Sequence, residues 1–202
     1  MNEVICADFN YADVEPNFVD LIFTDPPYVK EGIKTYPQVA LLGQKVLKPG
    51  GFLVVYASDY WFAETFGEML KYLNFYYIYH HISTQTASIF PRKLWAKGKS
   101  LIAFTKGKPN LAQVKWHNNF YAPPKKEKSH RKDNWEQPVD EAEFFIKNLC
   151  PENGVVLDPM CGSGTTLVAA KKLGRQYIGI DQSQEQCDVA RNRISIPQRP
   201  KL

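Results

Sequence analysis

Short apolar runs recur along the chain, and helical patterns fill the spaces between them. Runs at 4–6, 19–23, 52–56, 75–79, 101–105, 155–157 and 177–180 predict seven strands. Apolar residues at three- and four-residue spacing predict helices over 37–47, 60–73, 138–149, 165–173 and 183–194. In the helix over 138–149, Val139, Ala142, Phe145, Ile146 and Leu149 share one face. Core packing is its main role, and only its N-terminus need be functional. Strands alternating with helices predict an α/β fold built on a mostly parallel sheet. No internal repeat or low-complexity linker divides the chain, so residues 1–202 form one domain.

Two of the apolar runs end in Asp-Pro. The first is Val19-Asp20-Leu21-Ile22-Phe23-Thr24, followed by Asp25-Pro26-Pro27-Tyr28. A carboxylate and a prolyl carbonyl can accept the two N–H bonds of an exocyclic amine, and a tyrosine ring can stack on a flat base. Each proline fixes φ near −65° and offers no competing N–H, so the turn is stiff. The alternative is a plain turn, since strands often end in Asp-Pro.

The second is Val155-Val156-Leu157, followed by Asp158-Pro159-Met160-Cys161-Gly162-Ser163-Gly164-Thr165-Thr166. A helix closed by Gly174 comes next, then the strand 177–180 ending at Asp181. Glycines let backbone approach a ligand, a helix N-terminus offers free N–H groups, and an acidic residue after the next strand suits a ribose diol. Leu167 stands where a dinucleotide fingerprint needs its third glycine, and no Gly-Lys-Ser/Thr follows as in a P-loop. A nucleoside cofactor without a phosphate clamp fits, and S-adenosyl-L-methionine is such a molecule. In doubly wound sheets, ligands bind beyond the strand ends where the winding reverses. If the two Asp-Pro strands are neighbours there, both loops face one crevice.

These two segments resemble the catalytic and cofactor motifs of amino-methyltransferases acting on nucleic-acid bases. The catalytic motif comes first, as in the beta group of DNA methyltransferases, a circularly permuted order. The resemblance covers most of the chain. It implies a Rossmann-like fold with a seven-stranded sheet, and catalysis by Asp25, Pro26, Pro27 and Tyr28. Cys6-Ala7-Asp8-Phe9 matches the segment that holds an acidic residue near the cofactor adenine. Leu47-Lys48-Pro49-Gly50-Gly51, followed by Phe52 to Tyr56, matches the helix–turn–strand after the catalytic loop. The resemblance implies that Asp158 to Thr166 bind the methionine portion, Asp181 and Gln182 lie at the ribose, and Asp25 borders the cofactor. Gln137-Pro138 matches the segment touching the methionine end, where Lys-Pro is usual, so Gln137 is a departure.

Composition narrows the partners. With 44% hydrophobic residues, 202 residues can bury a sizeable core, and a formal net charge of +4 is compatible with a polyanion. No basic segment precedes an apolar stretch as in a signal peptide, and no run of about 18 apolar residues predicts a membrane span. Cys6, Cys150, Cys161 and Cys187 lack metal-ligand spacing, and scattered thiols fit a reducing, cytoplasmic compartment. Cys161 needs no catalytic role, because transfer to an exocyclic nitrogen requires no thiol adduct. His80 and His81 are adjacent in a strand and point to opposite faces, which is poor geometry for a metal ion.

Basic residues gather over 106–135, where Lys115, Lys125, Lys126, Lys128, Arg131 and Lys132 accompany Trp116, Phe120 and Tyr121. Cations meet phosphates and rings stack on bases, so this insertion reads as a minimal target-recognition segment for DNA. A solvated linker is the other reading. The segment is too short for a full recognition domain, so specificity is weak or depends on a second subunit. RNA remains within the same chemistry, and a homodimer is implied by the resemblance alone. A second basic stretch, 89–99 with Lys93, either lines the substrate channel or is a loop before the strand 101–105; the loop is the preferred reading.

The expected reaction is direct displacement of the cofactor methyl by a base amine activated through hydrogen bonds. Asp at the first catalytic position resembles N6-adenine enzymes more than N4-cytosine ones. A cofactor-binding partner subunit without catalysis is the alternative of another class.

Overall fold

The computed structural model describes residues 2–27, 30–89, 93–122 and 137–196, with backbone alone over 83–89 and 94–97. The chain enters through strand β1 (Asn2–Cys6) and reaches β2 (Val19–Thr24). Helix α1 (Thr35–Val46), β3 (Leu47–Tyr56) and α2 (Phe62–Met69) follow. Two long strands, β4 (Asn74–Ile89) and β5 (Leu94–Thr105), precede the short β6 (Phe120–Tyr121). The remainder is α3 (Val139–Leu149), β7 (Val155–Asp158), α4 (Thr165–Lys172), β8 (Gln176–Asp181) and α5 (Gln184–Ser195).

One sheet runs β1-β8-β7-β2-β3-β5-β4-β6. The five strands from β1 to β3 are mutually parallel, so β1, β8, β7, β2 and β3 all end at one edge. β5 runs antiparallel to both β3 and β4. From β2 the chain winds through α1 to β3, and from β7 it winds the other way through α4 to β8. The reversal therefore lies between the neighbours β2 and β7.

The β2 pattern follows from burial on both faces. Val19 and Ile22 join a core that includes Tyr36, Val39 and Met69 from α1 and α2. Leu21 and Phe23 join the opposite core with Phe145, Ile146 and Leu167 from α3 and α4. A strand covered on both sides reads as a continuous apolar run. The exception is Asp20, 5% exposed, which accepts hydrogen bonds from Lys48 Nζ at 2.7 Å and from the Val155 amide at 2.8 Å. That carboxylate pins the starts of β3 and β7 to β2.

Two sequence expectations are corrected. The sheet has eight strands rather than seven, because Phe120–Tyr121 pairs with His80–His81. Two residues carry no period, so no pattern could announce them. The stretch 89–99 is not a loop before β5. Ile89 pairs with Leu94 and Ala87 with Ala96, which makes a hairpin. β3 pairs with β5 only as far as Tyr56 opposite Leu101, so the outer half of this hairpin stands beyond the edge where β2 and β7 end.

Candidate active site

Asp25 follows directly on β2, and its loop is clamped from below. Pro26 is buried, and the Pro27 carbonyl lies over Gly32 in the short 3-10 turn Lys30–Lys34. A Cβ on Gly32 would sit 2.3 Å from that oxygen, so only glycine fits there. From α1, the buried Tyr36 donates its hydroxyl hydrogen to the Tyr56 carbonyl at 3.1 Å. Burial, and then the charge of Asp25, push the Tyr36 phenol well above its ordinary range.

The second Asp-Pro loop joins β7 to α4. Gly162 has φ +49 and Gly164 φ +83, left-handed values that glycine adopts without strain. A Cβ on Gly164 would meet that of Ala190 at 3.0 Å, so the bare glycine lets the loop sit close on α5. One Asp181 oxygen accepts the Gly162 amide at 2.9 Å, and the other accepts the Ser183 amide at 2.9 Å. Arg193 of α5 reaches back to the same loop, donating to Ser163 Oγ at 2.9 Å and Thr165 Oγ1 at 3.1 Å.

The two loops meet. Thr24 Oγ1 donates to Asp158 Oδ1 at 2.8 Å, a buried bond between the ends of β2 and β7. The Met160 amide donates to the same oxygen at 3.2 Å. Burial pushes the Asp158 carboxyl up to about 6, held back by hydrogen bonds from Thr166, Thr24 and the Met160 amide. Gln137, just ahead of α3, donates its side-chain amide to Asp25 Oδ2 at 2.6 Å. Asp25, Asp158, Gln137 and the glycine loop line one crevice of about 390 Å³. Among the described residues that line it, none is cationic.

Other sequence-assigned residues lie around this centre. Met160, Cys161, Gly162, Ser163, Thr165 and Thr166 line the crevice, whereas Pro159 is buried behind it. Asp8 follows β1, with the adjacent Ala7 amide bonded to the Asp181 carbonyl at 2.9 Å. Its carboxylate accepts the Asn10 amide at 2.9 Å. Phe9 is 6% exposed and packs into the core rather than lining the crevice. Gln182 is exposed beside Asp181, and Pro138 gives the first backbone acceptor of α3. Burial pushes the Cys161 thiol far above its ordinary range, which leaves it neutral and inert.

Lys93 is exposed at the hairpin turn. Lys115 and Trp116 border a larger hollow of about 630 Å³ against β4, lined by no residue of either Asp-Pro loop. Tyr28, Lys125, Lys126, Lys128, Arg131 and Lys132 lie outside the described residues. Thr24, Gly32, Tyr36 and Arg193 were missed by sequence reasoning. Thr24 and Gly32 flank the catalytic motif and could have been flagged by adjacency. Arg193 carries no local signal.

A family model described as DNA methylase, of the N6/N4 methyltransferases, matches residues 19–192. YubD of Escherichia coli (strain K12), a protein named as a candidate methylase, is 28% identical over 91% of this chain and 85% of its own length. The type II methyltransferase M2.LlaDCHI of Lactococcus lactis subsp. cremoris is 42% identical over 71 residues, 32% of this chain and 26% of that protein. In fold, the chain is similar to PvuII DNA methyltransferase, described as cytosine-N4-specific, at a TM-score of 0.80 and 18% identity over 95% of this chain and 86% of that one. It is also similar to M1.HpyAVI, solved in complex with SAM, at a TM-score of 0.72 and 22% identity over 96% of this chain and 100% of that one. The chain belongs to the N6/N4 family of DNA methylases.

Proposed function

We propose that the chain transfers a methyl group from S-adenosyl-L-methionine to the exocyclic N6 of adenine in DNA. The observation that carries this reading is that Asp25 and the glycine loop line one crevice at the winding reversal, joined by Thr24 and Asp158. The residues present suit the cofactor. Bare backbone at Gly162 allows close approach, and Asp181 ends β8 while Asp8 follows the adjacent β1, where a ribose and an adenine amine would lie. Asp158 to Thr166 would hold the methionine portion.

When bound, the cofactor supplies an electrophilic methyl on a sulfonium. The amine of adenine is a poor nucleophile because its lone pair is delocalised into the ring. Asp25 and the Pro26 carbonyl accept its two hydrogens and draw the nitrogen toward tetrahedral geometry. With the cofactor held by the glycine loop, the nitrogen would take the methyl as S-adenosylhomocysteine left, and one amine proton would pass afterwards to water. A carboxylate with an ordinary value near 4 cannot remove that proton beforehand, so orientation supplies much of the rate. The base must leave the duplex to reach the crevice, and Tyr28 stacks on it. The projecting hairpin with Lys93, and Lys115 and Trp116 on the β4 side, contact the nucleic acid.

A second reading is N4 transfer to cytosine, favoured by the likeness to a cytosine-N4-specific enzyme. Both amines present the same two hydrogens, so the site chemistry serves either. The test is transfer of labelled methyl to single-stranded DNA, duplex DNA and RNA, followed by nucleoside mass spectrometry. N6-methyladenine in DNA, lost by at least about 100-fold in Asp25→Ala, is expected. N4-methylcytosine or label only in RNA would change the substrate. Undiminished transfer by Asp25→Ala would sink the catalytic assignment.

A further inference from the structure

We propose that Gln137 is a positioning residue for Asp25, holding that carboxylate toward the base amine instead of holding the cofactor. This rests on the reading of Asp25 as the acceptor of the amine hydrogens. The contact is short, 2.6 Å from Nε2 to Oδ2, as expected when an amide donates to an ionised carboxylate. Both ends of the bond adjoin packed elements. Asp25 follows β2 directly, and Gln137 precedes α3, whose Phe145 stacks on Phe23 of β2 at 5.2 Å. Pro138, the N-cap with φ −65 and ψ 132, then sets the angle at which the chain enters α3. A donor placed just ahead of the N-cap of a packed helix limits how far the carboxylate it meets can turn.

The neutrality of the amide matters as much as its reach. Positive charge develops on the amine nitrogen as the new bond to carbon forms, and an ionised Asp25 offsets it. A cation in place of Gln137 would pair with Asp25 and spend that charge in the ground state. An amide orients the carboxylate and favours its ionised form without bringing a counter-charge of its own. Among the described residues, titratable groups on neighbouring elements feel the Asp25 charge. Asp158 lies across the crevice from β7, and Tyr36 comes from α1.

The test compares Gln137→Ala and the near-isosteric Gln137→Met with the unaltered chain. It uses calorimetric binding of S-adenosylmethionine, single-turnover methyl transfer, and a carbon-13 NMR titration of the Asp25 carboxyl assigned through Asp25→Asn. Both variants are expected to bind the cofactor within about 2-fold of the unaltered protein and to transfer methyl on the order of 10-fold more slowly. Their Asp25 midpoint is expected about one pH unit higher, because the carboxylate has lost a donor. Cofactor affinity falling in step with the rate, or an unmoved Asp25 midpoint, overturns the proposal. Gln137→Met keeps the side-chain length, so it remains informative if the alanine variant fails to fold. Failure of the unaltered protein to methylate any nucleic acid would refute the reading of Asp25 itself. The NMR midpoint would still tell whether Gln137 holds that carboxylate.

Discussion

Asp158 is a carboxylate sealed at the base of the crevice, 5% exposed, with its carboxyl pushed up to about 6. Its unfolded value is near 3.9, so between about pH 4 and pH 6 the folded chain binds more protons than the unfolded one. Stability therefore falls as pH rises through that window and stays lower above it, by about 3 kcal/mol in all. Asp158→Asn keeps an acceptor for Thr24 and the Met160 amide and removes this cost. Its unfolding midpoint should exceed that of the unaltered chain at pH 7.5, and the gain should vanish below about pH 4. Thermal unfolding at the two pH values checks this, and an equal gain at both would refute it. The same variant should bind S-adenosylmethionine more weakly, since a buried negative charge that destabilises the fold favours a cationic ligand. At this scale, Asp25 and Asp158 were legible because each sits in a local motif. The bonds from Thr24 to Asp158 and from Gln137 to Asp25 span 134 and 112 residues, and no local pattern encodes them.

Elements supply the stiffness these residues need. The turn Lys30–Lys34 supports the Pro27 carbonyl through Gly32, so Gly32→Ala must push the Asp25 loop aside. We expect this variant to stay folded and to lose methyl transfer by on the order of 100-fold, with cofactor affinity little changed. Calorimetry beside a single-turnover assay separates the two, and full activity would show that the loop yields freely. Helix α5 acts on the other wall, where Arg193 bridges Ser163 and Thr165. Arg193→Ala should weaken cofactor binding about 10-fold while the chain remains folded, measured by calorimetry and circular dichroism. The helices were legible from periodicity and from capping residues such as Ser183, which opens α5 and accepts the Gln186 amide at 3.3 Å. The long hairpin was not. Its outer half is rich in Ser and Thr and interrupted by Pro91 and Gly98, so its sequence reads as loop, and only cross-strand pairing makes it strand.

At the scale of the whole molecule, two hollows with separate linings stand apart. The crevice opens at the ends of the parallel strands, and the hollow beside β4 presents Lys115 and a fully exposed Trp116. If the second surface holds DNA, Lys115→Glu combined with Trp116→Ala should weaken DNA binding by about 10-fold or more and leave cofactor affinity unchanged. Fluorescence anisotropy with labelled duplex at two salt concentrations reads the effect. An unaltered affinity would assign DNA contact elsewhere.

The pairing of β2 with β7, and of β1 with β8, also sets a timetable. The ribosome delivers Asp25 well before Asp158, so β2 waits with an unpaired edge while the residues between them are made. β1 waits longer still, since Asn2 pairs opposite Tyr177. Such long-range pairings fold slowly and leave nascent chains prone to sticking together. The crevice comes into being only once β7 and its loop have been made, and a product that stops before them carries one wall without the other.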